Sequence, residues 1–264
     1  MDVLHYPNGM CISPKFIFIT DVNAGVGTGR ICVLNTIDGT YVRSIEGPPG
    51  NILVSPSEIC ISPSGDEVFV TEGLSQIDED GIMSYSTKVK VFNAMDGTFK
   101  RTIESPGRKT DICISEDGEL LFLTDFSKHQ IQVLRSSDGA LLQTIGNERL
   151  RHPNSLCLSR EGELYVTDGS NAIKVFRSTD GSYVRSIGIG RRSSIIRISP
   201  FGDLFVSHPN YNRDIEVFHK DGTSTRTISQ TAYSRGLCAS DTNELFAITK
   251  NTQTGKYCVK VFQN

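Results

Sequence analysis

The chain has 264 residues, of which 38% are hydrophobic and 22% charged, the profile of an ordered globular protein able to bury a large core. Its formal charge of −3 and pI near 6.0 give no overall drive toward nucleic acid or anionic lipid, so any such attraction must come from local asymmetry. No stretch reaches the ~20 apolar residues of a membrane span, residues 1–10 lack the basic-then-apolar order of a secretion signal, and the seven cysteines form neither a Cys-x-x-Cys pair nor an even framework; the expectation is a reducing, cytoplasmic setting without a membrane partner.

A repeat of roughly 40 to 45 residues, the period of propellers and solenoids, organises the chain. The first copy of its opening strand is Met10-Cys11-Ile12-Ser13. The apolar run 16–19 follows, and then Gly25-Val26-Gly27-Thr28-Gly29, which has no helix after it and reads as a hairpin loop, not as a phosphate cradle. The second copy runs from Ile59-Cys60-Ile61-Ser62 to Val68-Phe69-Val70-Thr71. It leads into the longest insertion, 72–88, where Asp78-Glu79-Asp80-Gly81 lacks the ligand series of a calcium loop and reads as a solvated acidic tip. The third copy is Ile112-Cys113-Ile114-Ser115 with Leu121-Phe122-Leu123-Thr124-Asp125, and the fourth Leu156-Cys157-Leu158-Ser159 with Leu164-Tyr165-Val166-Thr167-Asp168. Weaker copies are Ile196-Arg197-Ile198-Ser199 and Leu237-Cys238-Ala239-Ser240.

After each opening pair comes a second pair, as in Ile173-Lys174-Val175-Phe176, a turn at Asp180-Gly181, and Tyr183-Val184-Arg185-Ser186-Ile187. The matching turns are Asp38-Gly39, Asp96-Gly97, Asp138-Gly139 and Asp221-Gly222, where glycine supplies the positive φ such hairpins need. Each unit therefore reads as four short antiparallel strands, a to d. Units of this size bury too little alone and must stack face to face around an axis. The predicted fold is all-β: one domain over 1–264, a six-bladed β-propeller of four-stranded antiparallel blades. The last unit stops after its third strand at Lys260-Val261-Phe262-Gln263-Asn264.

The pattern Pro-x-x-Ile/Leu-Cys-Ile-Ser, a glycine turn, Thr-Asp and Ile-x-Val-Phe resembles NHL repeats over nearly the whole chain. That resemblance implies a propeller that works as a binding platform, and propellers of this family often complete the last blade with an N-terminal strand. Only residues 1–5 precede the first opening strand here, so either the last blade is three-stranded or the sequence is a piece of a longer one. The RING, B-box and coiled coil of tripartite-motif ubiquitin ligases do not precede the repeats, so ligase activity is not implied.

Five cysteines, Cys11, Cys60, Cys113, Cys157 and Cys238, share one position of strand a and should ring the axis as small packing residues, too far apart to pair. Arg197 takes that position in the fifth copy, a candidate central-channel group for an anion or carboxylate, with a solvated lining or a local ion pair weighing more heavily. The five histidines share no repeat position, and only His129, His152 and His208 fall in loops of one face; the expectation is no metal and no cofactor.

Because strand direction alternates, d–a and b–c connections share one face. The d–a connections carry Arg108, Lys109, Arg149, Arg151, Arg191, Arg192 and Arg235, with Tyr211 and Tyr233 in loops of the same face. Glu46, Glu104 and Glu148 oppose them, and Asp21, Glu72 and 78–80 are expected to protrude on that side. The opposite face receives the Asp-Gly turns with Asp66, Glu116, Asp117 and Glu161. The favoured reading is a non-enzymatic scaffold holding a protein or peptide, acidic in character, on the basic face. Single-stranded RNA on the same face is the alternative, since clustered arginines neutralise phosphates, and a metal-dependent propeller lyase or hydrolase is the third.

Overall fold

Short β-branched and aromatic runs, punctuated by glycine turns, fold in the computed structural model into six antiparallel sheets set in a ring, with no helix among the described residues. Those residues are 4–23, 27–77, 83–146, 148–208, 214–229, 234–251 and 253–263, with the backbone alone for 74–77, 83–85 and 234–235. Blade 1 contains β1 (Pro7–Ile12), β2 (Phe16–Val22), β3 (Thr28–Asn35) and β4 (Tyr41–Ile45), plus β5 (Leu53–Val54), which pairs with the start of β3. Blade 2 contains β6 (Pro56–Ile61), β7 (Glu67–Ile77), β8 (Met83–Asn93) and β9 (Phe99–Pro106). Blade 3 contains β10 (Lys109–Ile114), β11 (Leu120–Asp125), β12 (Gln130–Arg135) and β13 (Leu141–Ile145). Blade 4 contains β14 (Ser155–Leu158), β15 (Glu163–Thr167), β16 (Ala172–Arg177) and β17 (Tyr183–Gly188). Blade 5 contains β18 (Ile196–Ile198), β19 (Leu204–Ser207), β20 (Ile215–Phe218) and β21 (Ser224–Ile228). Blade 6 has three strands, β22 (Ser234–Ala239), β23 (Leu245–Lys250) and β24 (Tyr257–Phe262).

The addition of β5 was not foreseen from the sequence. The first d–a connection is long, and Leu53 uses its slack to reach a fully buried position while Leu53 N donates to Glu46 O at 3.0 Å.

Six apolar clusters hold the ring, one at each seam between consecutive blades. Phe18, Ile31 and Val33 of blade 1 meet Val68 and Val70 of blade 2, and the pattern repeats until Phe246 and Ile248 of blade 6 meet Ile17 and Ile19 of blade 1. One aromatic ring sits in the middle of every second strand: Phe18, Phe69, Phe122, Tyr165, Phe205 and Phe246, each no more than 2% exposed. Burial of one such side chain is worth about 1.5–3 kcal/mol, and because the clusters span seams, each ring binds two blades together. Outer strands differ in character: β21 is exposed over Ser224–Thr227, which is why its sequence is polar.

A second contact recurs at the rim. In blades 1 to 4 the isoleucine near the end of the fourth strand lodges against the Asp-Gly turn of the next blade so closely that a Cβ on Gly97, Gly139, Gly181 or Gly222 would come within 2.8, 2.4, 2.9 or 2.8 Å of Ile45, Ile103, Ile145 or Ile187 respectively. Glycine at these turns thus serves both the left-handed backbone and the approach of a neighbour.

No helix among the described residues is long and apolar enough to cross a membrane.

Candidate functional site at the channel mouth and the loop face

Strand a of each blade lines the central channel, and register bulges at Pro7/Met10, Pro56/Ile59, Lys109/Ile112 and Ser234/Leu237 loosen it at the loop face. Buried hydroxyls on the neighbouring strand satisfy the freed amides: Thr20, Thr71 and Thr124 Oγ1 accept from Gly9, Glu58 and Asp111 N at 2.9, 2.9 and 2.8 Å. This explains the repeated Thr of the Thr-Asp motif. The bulged backbone holds two carboxylates, Glu58 and Asp111, two residues before the cysteine position and so on the same side of the strand. Gly9 is the blade 1 counterpart, and its lack of a side chain makes room, since a Cβ there would lie 2.8 Å from Glu58 Oε2.

Arg197 crosses to meet them. Its Nη1 donates to Asp111 Oδ2, Ser155 Oγ and Ile196 O at 2.8, 3.0 and 2.8 Å; Nη2 donates to Glu58 Oε2 at 3.2 Å and Asp111 Oδ1 at 3.3 Å; Nε donates to Leu237 O at 3.0 Å. Asp111 is saturated in turn, since Ser155 Oγ and the Leu156 and Ile112 amides also donate to it, at 2.5, 3.0 and 2.9 Å. Burial works against the guanidinium charge, but Asp111 and Glu58 outweigh it and hold its proton more tightly than usual. The side chain is therefore engaged in a local ion-pair network, the alternative that the sequence reading set against a channel anion or carboxylate. One guanidinium facing two carboxylates leaves Glu58 under-compensated: burial, and then Asp111, raise its pKa to about 8 against the pull of Arg197.

Above this network opens a polar cavity of about 440 Å³, with Ser57, Thr110, Asn154 and Ser194 on its wall. The cysteine ring lies at the level of Arg197. All seven cysteines are free thiols, and burial pushes those of the ring up, Cys238 to about 12, which makes them poor nucleophiles. Ser155 is clamped by Asp111 and Arg197, with no histidine beside it to act as a base.

The basic rim is rearranged relative to the sequence reading. Lys109 is not on the surface: its ammonium is fully buried, 2.7 Å from Asp125 Oδ2 and also donating to Pro106 O at 2.8 Å, because it lies at the bulged start of β10 opposite Asp125. Arg191 is ion-paired with Glu216 of β20. Asp21 and Glu72 do not protrude either; they are 1% and 3% exposed, matched by Arg30 at 3.0 Å and Lys90 at 3.0 Å. The cause is general to this face. In blades 1 to 4 the carboxylate after the second-strand threonine turns inward, and since an isolated buried carboxylate would be costly, a cation accompanies it.

Four arginines remain exposed. Arg108 covers the Phe126 ring at 4.6 Å and Arg149 the Tyr183 ring at 4.7 Å, while Arg192 Nε donates to Gly169 O at 3.1 Å and Arg151 is held through its backbone by Asp168. Phe126 continues into His152 and His129, with ring centroids 4.6 and 4.2 Å apart, and both histidines have left-handed backbones, φ 53° and 57°. His208 is elsewhere, buried, its Nδ1 2.9 Å from Arg192 O. The three loop histidines therefore do not converge, and among the described residues no group of three metal-ligating side chains does. Tyr211, Tyr233 and the 78–81 segment lie outside the described residues, and Arg235 is described by its backbone alone, in β22.

The opposite face is acidic as expected. The Asp-Gly aspartates are held below the usual carboxylate range by hydroxyls and amides two residues on, as at Asp38 with Thr40 and Asp221 with Thr223.

Glu58 and Asp111 were missed from the sequence, although their spacing from Cys60 and Cys113 offered the signal: residues i and i+2 of a strand share a face. Set against known proteins, the chain matches no family model and no curated protein.

Proposed function

We propose that the protein is a non-catalytic NHL-type propeller that holds an acidic segment of a protein partner on its loop face, over blades 3 to 5. The supporting observation is the set of exposed cations delivered by consecutive d–a connections, Arg108, Arg149, Arg151 and Arg192, the first two over aromatic rings and Arg192 hydrogen-bonded to Gly169 O. Rigid presentation lowers the ordering cost of binding. The opposite, aspartate-lined face repels the same ligand.

Equilibrium binding of a fluorescent Asp/Glu-rich decapeptide to the wild type and to the Arg149→Ala/Arg151→Ala/Arg192→Ala variant tests this. At about 0.2–1 kcal/mol for each exposed pair, the variant should bind roughly 3- to 100-fold more weakly with its melting temperature unchanged. Equal affinity in a folded variant rules the reading out.

Single-stranded RNA is the second reading, favoured by the Arg108, Phe126, His152 and His129 stack, on which bases could lie. A uridine oligonucleotide would then bind with an affinity that falls steeply with salt; binding that is flat across the salt series rejects RNA.

A further inference from the structure

Two residues before the ring cysteine, or before Arg197 in blade 5, the six strands a hold Gly9, Glu58, Asp111, Ser155, Ile195 and Gly236. The repeat itself therefore does not require carboxylates at this level, and apolar side chains of similar size often replace a buried ion network without loss of stability. Among the described residues Arg197 is the cation that answers both acids, and it answers them unequally. Asp111 is saturated, whereas Glu58 accepts one hydrogen bond, on Oε2 from Arg197 Nη2 at 3.2 Å. Its Oε1 accepts none from the described residues, and Glu58 lines the polar cavity of about 440 Å³ at the channel mouth.

The amide and threonine donors of the cavity wall are turned to backbone carbonyls of the following blade. Asn8 Nδ2 donates to Pro56 O at 3.2 Å, Thr110 Oγ1 to Pro153 O at 3.0 Å and Asn154 Nδ2 to Ser194 O at 2.6 Å. The last of these fixes the Asn154 amide, whose Oδ1 accepts no hydrogen bond from the described residues. What the wall offers a ligand is thus mainly acceptors: Glu58 Oε1, Asn154 Oδ1 and the lone pairs of Thr110 Oγ1, while the hydroxyls of Ser57 and Ser194 serve either way. One unit of negative charge also lacks a partner whenever Glu58 and Asp111 are both ionised.

We propose that the channel mouth is a binding site for a primary alkylammonium group, which donates to Glu58 Oε1 and to the oxygens of the wall and supplies the second positive charge that the two carboxylates call for. An ammonium carries three donors and no acceptor, the complement of such a wall. An anion is repelled by the same carboxylates, and a neutral hydroxyl leaves the charge uncompensated. The site is independent of the arginines proposed to hold an acidic segment. Burial and Asp111 raise the Glu58 carboxyl to about 8, and an alkylammonium, charged well beyond that pH, favours the ionised form. Binding therefore strengthens as pH rises and releases a proton. Asp111 and Arg197 are the charged groups that act on Glu58, and burial pushes the thiols of Cys60 and Cys113 up, out of this range.

Two probes, n-butylammonium chloride and the peptide acetyl-Gly-Gly-Lys-Gly-Gly-amide, are titrated into the whole chain by calorimetry at constant ionic strength. Saturable binding of butylammonium is expected at about 1–10 mM, ordinary for so small a ligand. It should be stronger at pH 9 than at pH 6, roughly 10-fold or more weaker in Glu58→Gln, and absent for n-butanol, which has the same chain without the charge. A peptide that binds roughly 10-fold tighter than butylammonium assigns the site to a lysine side chain of a protein partner; equal or weaker peptide binding assigns it to a free amine. No saturation by either probe at about 50 mM, or unchanged affinity in Glu58→Gln, overturns the proposal. So does equal binding of butyltrimethylammonium, which has no N–H to donate. Binding that appears only in Arg235→Ala also overturns it, since that arginine, three residues before Cys238 as Ser57 is before Cys60, would then be the resident cation.

Discussion

Replacing Glu58 by glutamine should alter how stability depends on pH. Glu58 is 15% exposed, shares Arg197 with Asp111, and has its pKa raised from 4.5 to about 8. A carboxyl that binds its proton more tightly when folded than when unfolded stabilises the protein fully below the unfolded value, near 4.5, and that contribution is lost as pH rises through 8. At 1.36 kcal/mol per pH unit the loss across this window is about 5 kcal/mol, and because the channel mouth admits water a range of roughly 2–5 kcal/mol is expected. Glutamine keeps the shape without the ionisation, so Glu58→Gln should match the wild type at pH 4.5 and exceed it progressively up to pH 9. Urea denaturation of both proteins at pH 4.5, 6, 7.5 and 9 reads the difference directly. Parallel curves would refute the reasoning, showing that Arg197 compensates both carboxylates in full.

Two further substitutions probe the architecture. Lys109→Met leaves Asp125 buried without its cation and should cost about 3–5 kcal/mol; a loss under about 0.5 kcal/mol in denaturant titration would mean that Lys109 behaves as a surface residue after all. Gly139→Ala and Gly39→Ala both place a side chain at positive φ, 78° and 69°, at about 1–2 kcal/mol, but only the first also drives a methyl within 2.4 Å of Ile103 Cγ2. Gly139→Ala should therefore unfold at lower denaturant by a further 1–3 kcal/mol or so, and equal losses would deny the packing of fourth-strand isoleucines into the turns.

The ring of blades was legible because its causes are local and repeated. Phe69-Val70-Thr71, Phe122-Leu123-Thr124 and Tyr165-Val166-Thr167 each carry strand propensity with apolar character on both faces, and a glycine at each Asp-Gly turn supplies positive φ without help from any distant residue. Six copies in register also fixed which connections share a face, and contacts such as Arg108 on Phe126, joining a d–a to a b–c loop, agree. The three-stranded last blade could be counted from the sequence as well.

What failed was part of the inference about which charges reach water. Lys109, Arg191, Asp21 and Glu72 read as loop-face charges, yet all four turn toward partners that lie on other strands, in the case of Arg191 and Glu216 twenty-five positions away. Arg197 was placed at a channel position, and Glu58 and Asp111 share its strand-a face by spacing, but its partners, Glu58, Asp111, Ser155 and Leu237, come from blades 2, 3, 4 and 6, so only ring closure brings them to one guanidinium. The amino-acid sequence by itself determined the repeat, the strands and their turns, since these depend on neighbours within a few residues. Ring closure alone decided which carboxylates are compensated and which arginines stay exposed, because burial and ion pairing depend on groups that only the closed ring brings within a few ångströms.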